Sequence, residues 1–325
     1  MTTAHAPAKV ILFGEHAVVY GRPAIAVPVS QVRACAVVDD APKGQGIVIH
    51  ATDLKLQQQV GAPIITDDPA YPLEATVRHT LERLGIEGIP DLTLTVSSTV
   101  PMASGLGSGA AVSTAIVRAL AQHFGRRLTS HEVSDLVYQT ELIHHGTPSG
   151  VDNTVIAFER PVYFVKGKPI EILHVGQPFW LVIGDTGTRS PTRDVVGDVR
   201  CAWQAKPDKY EALFDRIGTI AVQAREAIGA GEVRALGKLM HENQELLQAI
   251  GVSSPELERL IGAARAAGAM GAKLCGAGRG GNMIALVSPE KAQAIAVALR
   301  KSGAVNAIVS EVKLPQSVNG KQASL

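Results

Sequence analysis

The sequence is short of cysteine, of charge imbalance and of long apolar runs, and each shortage excludes a class of protein. Its 325 residues contain 3 cysteines. Cys35, Cys201 and Cys275 are odd in number, far apart and in no metal-ligand spacing. A disulfide framework and a zinc cluster are therefore excluded, and free buried thiols in a reducing compartment are expected. The 31 basic and 30 acidic residues leave a formal net charge of +1, with no basic run to track a nucleic-acid backbone. No stretch approaches the roughly 18 apolar residues of a membrane span, and residues 1–9 have no apolar signal core. A cytoplasmic protein with no nucleic-acid or membrane partner is expected. Internal repeats and low-complexity tracts are also missing.

What is present is a long globular chain, 46% apolar and 19% charged. Single cores stop growing at about 250 to 300 residues, so two domains are expected. The first segment, A-P-A-K-V-I-L-F-G-E-H-A-V-V-Y-G from Ala6 to Gly21, reads as a buried strand that stops at Gly14 and hands over to Glu15 and His16. Residues 24–29, 34–38 and 47–49 read as further strands, most simply an antiparallel meander. Helical spacing runs from Tyr71 to Leu84, and Leu92, Leu94 and Val96 alternate as a strand.

After that strand comes P-M-A-S-G-L-G-S-G-A-A, Pro101 to Ala111, and then the helical spacing of Val112, Ile116 and Leu120. Strand, glycine-rich loop and helix suit a phosphate chain, because glycines let backbone N–H groups approach it and the helix adds its positive end. An ordinary strand-to-helix turn would show the same glycines. Thr129 and Glu132 form a capping box that opens the next helix, where Glu141 lies one turn beyond Val137, on the buried side. A carboxylate there calls for a cation. The helix runs into I-H-H-G-T-P-S-G-V-D-N, a turn-dense passage ending at Asp152 and Asn153.

Short strands are expected at 155–158, 162–165, 170–175 and 180–184, followed by D-T-G-T-R-S-P-T, Asp185 to Thr192. Helices are then expected over 194–205, 209–228, 233–250 and 257–267. A strand at 272–275 enters a second glycine run, G-A-G-R-G-G-N from Gly276 to Asn282, and a strand, a helix and a last strand at 305–312 close the chain. Mixed strands and segregated helices indicate α+β with domains 1–185 and 186–325.

Both glycine runs fit G-x-G-x-x-[GA], but neither sits in a dinucleotide-binding frame. Some 20 residues beyond Gly105 lies a helix cap rather than a strand ending in an acid, and beyond Gly276 the next element is a strand. No Lys-Ser or Lys-Thr closes either run, which excludes a Walker loop.

Three stretches, A-P-A-K-V-I-L-F-G-E-H-A-V-V-Y-G, P-M-A-S-G-L-G-S-G-A-A and K-L-C-G-A-G-R-G-G, resemble the three motifs of the GHMP kinases, small-molecule kinases acting on galactose, homoserine, mevalonate and phosphomevalonate. H-A-V-V-Y-G and I-H-H-G-T-P-S-G-V-D-N are most similar to the branch that acts on mevalonate. The resemblance implies an N-terminal domain like the second domain of ribosomal protein S5, a ferredoxin-like C-terminal domain, and a site in the cleft between them. It implies phosphorylation of the primary hydroxyl of mevalonate by ATP with Mg²⁺, in a homodimer. Another GHMP activity, or a non-catalytic sensing relative, is the alternative.

The resemblance also assigns roles. Asp152 falls on the catalytic carboxylate, Lys9 on the lysine beside the reacting hydroxyl, and Glu141 on the magnesium ligand. Pro101, Ser104, Gly105, Leu106, Gly107, Ser108, Gly109 and Ala110 fall on the ATP loop. Glu15, His16, Thr192, Gly276 and Ala277 fall on the substrate side, with Arg189, Arg193 and Arg279 as further contacts to an anion. The pattern departs from the family at Gly109, where a metal-binding serine is usual, and Ser108, Ser104 or water is expected to substitute. It departs again at Cys275, where Thr or Ser is usual.

Overall fold

A computed structural model describes residues 1–62, 70–101, 105–145 and 149–313, with the side chains of His144 and His145 left out. Of the sequence expectations, the ATP-loop role of Ser104 lies outside the described residues.

The first sheet is built on β1 (Thr2–Phe13) and β2 (Ala24–Asp40), which pair antiparallel along most of their length. The expected breaks within 24–38 do not occur. The polar stretch around Ser30 and Gln31 is a bulge inside one 17-residue strand, opposite the register shift between Pro7 and Ala8. β3 (Ile47–Ala51) pairs with β4 (Leu56–Gln59), and after α1 (Tyr71–Leu84) the chain returns as β5 (Leu92–Ser98), parallel to β3 and antiparallel to β2. That parallel pair replaces the expected meander, and α1 supplies part of the crossover it needs.

α2 (Ser108–His123), α3 (Ser130–His145) and α4 (Val151–Phe158) pack together over this sheet, followed by β6 (Val162–Phe164) and β7 (Glu171–Ile172). The capping box opens α3 as expected: Glu132 Oε2 accepts from the Thr129 N–H at 2.8 Å, and Thr129 Oγ1 accepts from the Glu132 N–H at 3.3 Å. Residues 155–158 form the last turn of α4, correcting the expected strand. The β-branched run Thr154, Val155 and Ile156 suggests a strand, but Gly150 at φ 87° turns the chain into a helix that buries Val151, Val155 and Ile156. Burial overrides propensity here.

The second sheet contains β8 (Phe179–Asp185), then, after α5 (Thr192–Ala205), α6 (Pro207–Ala230), α7 (Val233–Ile250) and α8 (Pro255–Ala266), β9 (Gly271–Cys275) and β10 (Asn282–Val287), and after α9 (Ala292–Lys301), β11 (Asn306–Val312). All its pairs are antiparallel, in the order β11-β8-β10-β9, the ferredoxin-like arrangement. The expected boundary at 185 falls at the C-terminal end of β8, inside this sheet. By strand pairing the division lies between β7 and β8.

The two sheets are joined by a shared core. Leu181, Ile183, Ile284 and Leu286 belong to the cluster that fills the first sheet, whereas Val182, Met283 and Ala285 pack into the second cluster with α8 and α9. Alternate side chains of β8 and β10 thus serve opposite faces, which explains why both strands are apolar throughout. Among the described residues no helix is long and apolar enough to cross a membrane.

Candidate active site

The site begins with an edge strand. β1 pairs only through β2, and Lys9 stands opposite Pro28, which has no N–H to give. The Lys9 N–H instead points to the free edge, where it donates to the Leu106 carbonyl of the glycine-rich loop at 3.0 Å. Two residues on, the Ile11 carbonyl on the same edge accepts from Cys275 Sγ at 3.3 Å. An exposed strand edge is costly unless covered. Here the glycine-rich loop of one half and the end of β9 in the other cover it.

The Lys9 side chain runs beneath Gly107 and ends 2.8 Å from Asp152 Oδ1. Lys9 is almost completely enclosed, while the Asp152 side chain is 29% exposed and so presents its carboxylate to the cleft. Burial pulls the Lys9 ammonium down, but the charges of Asp152, Cys275 and Glu141 and the hydrogen bond to Asp152 together leave it raised. Lys9 therefore stays cationic at neutral pH. Asp152 lies in the first turn of α4, where the helix end favours an anion. Its neighbour Asn153 is buried and donates Nδ2 to the Ser134 carbonyl at 3.1 Å and to Ser134 Oγ at 2.9 Å, fixing α4 against α3.

Glu141 is buried on α3, and its carboxyl is pushed up to about 8, first by burial and then by the charge of Asp152, with Lys9 opposing. The Glu141 and Asp152 carboxyl groups are close enough to feel each other and Lys9, and both offer oxygen donors. A hard divalent cation fits that donor set. Ser108, the first residue of α2, is half-buried behind the N-cap Gly107 and is the hydroxyl of the loop that the structure describes at the helix start. Among the described residues no cluster of three or more His, Cys, Asp or Glu would hold a metal.

Gly105, Leu106 and Gly107 form the loop itself, with both glycines at positive φ, and Ala110 is buried beneath it. Gly276 of the second glycine run faces this loop: a Cβ on Gly276 would lie 4.0 Å from the Gly105 Cα. The two runs therefore meet across the cleft. The second is pinned from behind, where the Gly281 N–H donates to the Thr188 carbonyl at 2.8 Å and Thr186 Oγ1 to the Gly281 carbonyl at 2.8 Å.

The substrate-side residues divide. His16 follows the turn after β1 at φ 60° and ψ −49°, a conformation that costs a β-carbon residue of order 1–3 kcal/mol. Its Nε2 lies 2.9 Å from the Ala277 carbonyl, so it donates there and the ring is the Nε2–H tautomer. Burial, opposed by that carbonyl bond and aided by the Arg279 charge, lowers the imidazole from 6.5 to about 4. His16 is thus a neutral donor. Glu15 is fully buried and ion-paired with Lys273, a residue the sequence reading left without a role. The clue was available: a lysine inside the apolar strand A-K-L-C requires a buried counter-charge.

Thr192 is exposed at the start of α5, and it is Thr186 and Thr188 on the same segment that touch the glycine run. Arg279 turns away from the expected anion: its guanidinium pairs with Asp198 on α5, and its Nε lies 3.4 Å from the Gly251 carbonyl. Cys275 is inert, because burial pushes its thiol up to about 11. Cys201 is exposed and Cys35 half-buried, so only Cys275 fits the expectation of buried thiols.

The His16 shift has a measurable consequence. A histidine whose folded value lies below its unfolded one stabilises fully above about pH 6.5, and that contribution is lost as pH falls towards 4. The gap between 6.5 and about 4 corresponds to about 3 kcal/mol. Denaturant unfolding of wild type from pH 7 to 4 is expected to show a steeper loss than His16→Gln, by that order. Parallel losses would contradict the burial of a neutral His16.

The chain is similar to known proteins over most of its length. The profile described as the GHMP kinases N terminal domain matches residues 71–160, and that described as GHMP kinases C terminal matches residues 224–305. A protein named mevalonate kinase from Thermococcus sibiricus is 37% identical over 92% of this chain and 93% of its own. One of the same name from Pyrococcus horikoshii is 34% identical over 93% of each. The crystal structure of L. major mevalonate kinase in complex with R-mevalonate superposes with a TM-score of 0.82 at 30% identity, covering 96% of both chains. With both GHMP kinase domains matched and relatives 37% and 34% identical aligned over more than nine-tenths of each chain, the chain belongs to the GHMP kinase family.

Proposed function

We propose that this chain transfers the γ-phosphoryl group of ATP to the primary hydroxyl of mevalonate, giving 5-phosphomevalonate and ADP for isoprenoid synthesis. The observation that carries the reading is the Lys9–Asp152 pair, 2.8 Å apart beside the glycine-rich loop, with the Asp152 carboxylate partly exposed. Phosphoryl transfer passes through a loose transition state, so the protein chiefly positions the acceptor oxygen and neutralises charge. Asp152 orients the hydroxyl and takes its proton as the oxygen bonds to phosphorus and the bond to the ADP oxygen breaks. Lys9 holds Asp152 in place and lowers the cost of negative charge on the attacking oxygen. The N–H groups of Gly105 to Ala110 at the head of α2 receive the phosphates. Neutral His16 contributes to the acceptor side, together with the backbone at Gly276 and Ala277.

Glu141 and Ser108 would hold Mg²⁺, which would supply charge neutralisation for the transferring phosphoryl group. Ser108→Ala is expected to raise the Mg²⁺ concentration for half-maximal turnover by about tenfold, with turnover at saturating Mg²⁺ largely kept. An unchanged Mg²⁺ dependence would remove Ser108 from that role.

The working form is proposed to be a cytoplasmic homodimer, which sedimentation of the purified protein tests. The activity itself is tested by coupled ADP release across mevalonate, phosphomevalonate, homoserine and galactose. Turnover with mevalonate well above the other three is expected. Turnover with another acceptor instead would move the chain to a different activity of the same family.

A further inference from the structure

Along one segment of the second domain, Lys273, Cys275 and Ala277 each reach across to the first: Lys273 to Glu15, Cys275 Sγ to the Ile11 carbonyl, and the Ala277 carbonyl to His16. Residues two apart on a strand share a face, so β9 turns Lys273 and Cys275 towards the first domain, and the Ala277 carbonyl follows just past the end of the strand. Among these contacts the Glu15–Lys273 pair is distinct, because both side chains are 0% exposed. Lys273 Nζ also donates to the Leu274 carbonyl at 2.7 Å, which fixes the ammonium from its own strand. Glu15 Oε2 is buried without a hydrogen-bond partner among the described residues, so Lys273 supplies the direct counter-charge of that carboxylate.

Stability alone does not account for such a pair. Desolvating two charges costs about as much as their attraction returns, and well-packed apolar replacements are often equally stable. Position does account for it. Glu15 immediately precedes His16, whose strained backbone needs support from both sides. The Ala277 carbonyl holds the ring and Lys273 holds the preceding residue.

We propose that Lys273 is a positioning residue for the acceptor end of the site. From the second domain it fixes the Glu15 carboxylate, and through it the backbone that presents His16, so the acceptor pocket is complete only when the two domains are in register. This rests on the kinase reading above. Wild-type turnover with mevalonate checks that reading independently of the variants.

The test uses full-length Lys273→Met and the double variant Glu15→Gln/Lys273→Met, with melting curves and KM measured for each substrate. In both variants the acceptor KM is expected to rise by about tenfold or more while the ATP KM stays within about twofold. Lys273→Met, which strands a buried carboxylate, is expected to melt well below wild type, and the double variant to recover most of that loss. If Lys273→Met does not fold, the double variant carries the test. A double variant with wild-type acceptor KM, or with both KM values raised equally, would overturn the proposal. A double variant that does not fold would overturn it too, since the pair would then serve the core and not the acceptor.

Discussion

Asp152→Asn is expected to lower kcat about a thousandfold, the range that a positioned proton acceptor supplies. Asn keeps the shape of the side chain and its place in the first turn of α4, but it cannot take the proton of the acceptor hydroxyl. It also removes the partner that Lys9 meets at 2.8 Å, and Lys9 is too enclosed for water to replace it. A lower melting temperature is therefore expected alongside the kinetic loss. Lys9→Met/Asp152→Asn, which removes both charges, separates the two effects: melting should recover and turnover should not. A fall in kcat of less than about tenfold in Asp152→Asn would remove the residue from proton transfer.

The second large effect is expected from Gly107→Ala. Gly107 is at φ 74°, and a Cβ there would stand 3.1 Å from Lys9 Cγ and Cε and 3.0 Å from Ile156 Cδ1. The left-handed backbone alone costs a β-carbon residue roughly 1–2 kcal/mol. The larger consequence is geometric, because the methyl group pushes on the stem that carries the Lys9 ammonium to Asp152. A displacement well under 1 Å at the reacting groups is enough to lower kcat by about a hundredfold. Gly105→Ala provides the contrast: φ is 81°, yet a Cβ there meets nothing within 4 Å. It should strain the loop and raise the ATP KM while sparing kcat. Equal kcat losses in the two variants would mean that Gly107 acts through loop strain alone.

Those contrasts depend on which features were legible in the sequence. The buried strand of β1, the two glycine runs and the helix N-caps were readable because each is a local pattern: a continuous apolar run, a positive-φ residue, a capping box. Their meeting was not. Nothing local says that Gly276 faces Gly105, or that the Lys9 N–H closes the edge of β1 on Leu106. α4 was misread because Thr154, Val155 and Ile156 favour a strand by propensity, and only burial against α3 and β1 makes them helical. The place of β8 is not legible locally, because its composition matches either sheet and its partners β10 and β11 lie about a hundred residues downstream. Lys273 lies inside the third motif, where no local pattern names its partner. Its role appears only when Glu15, 258 positions earlier, is found at its tip.

The proposed activity rests on the Lys9–Asp152 pair beside the loop, and its product is the direct check. Purified protein incubated with ATP, Mg²⁺ and mevalonate is to be followed by ³¹P NMR. A phosphomonoester signal split by the two protons of a neighbouring CH₂ group, growing in step with ADP, is the expected result. A phosphorus signal without that splitting, which would place the phosphate on the tertiary hydroxyl, or ATP left intact, would contradict it.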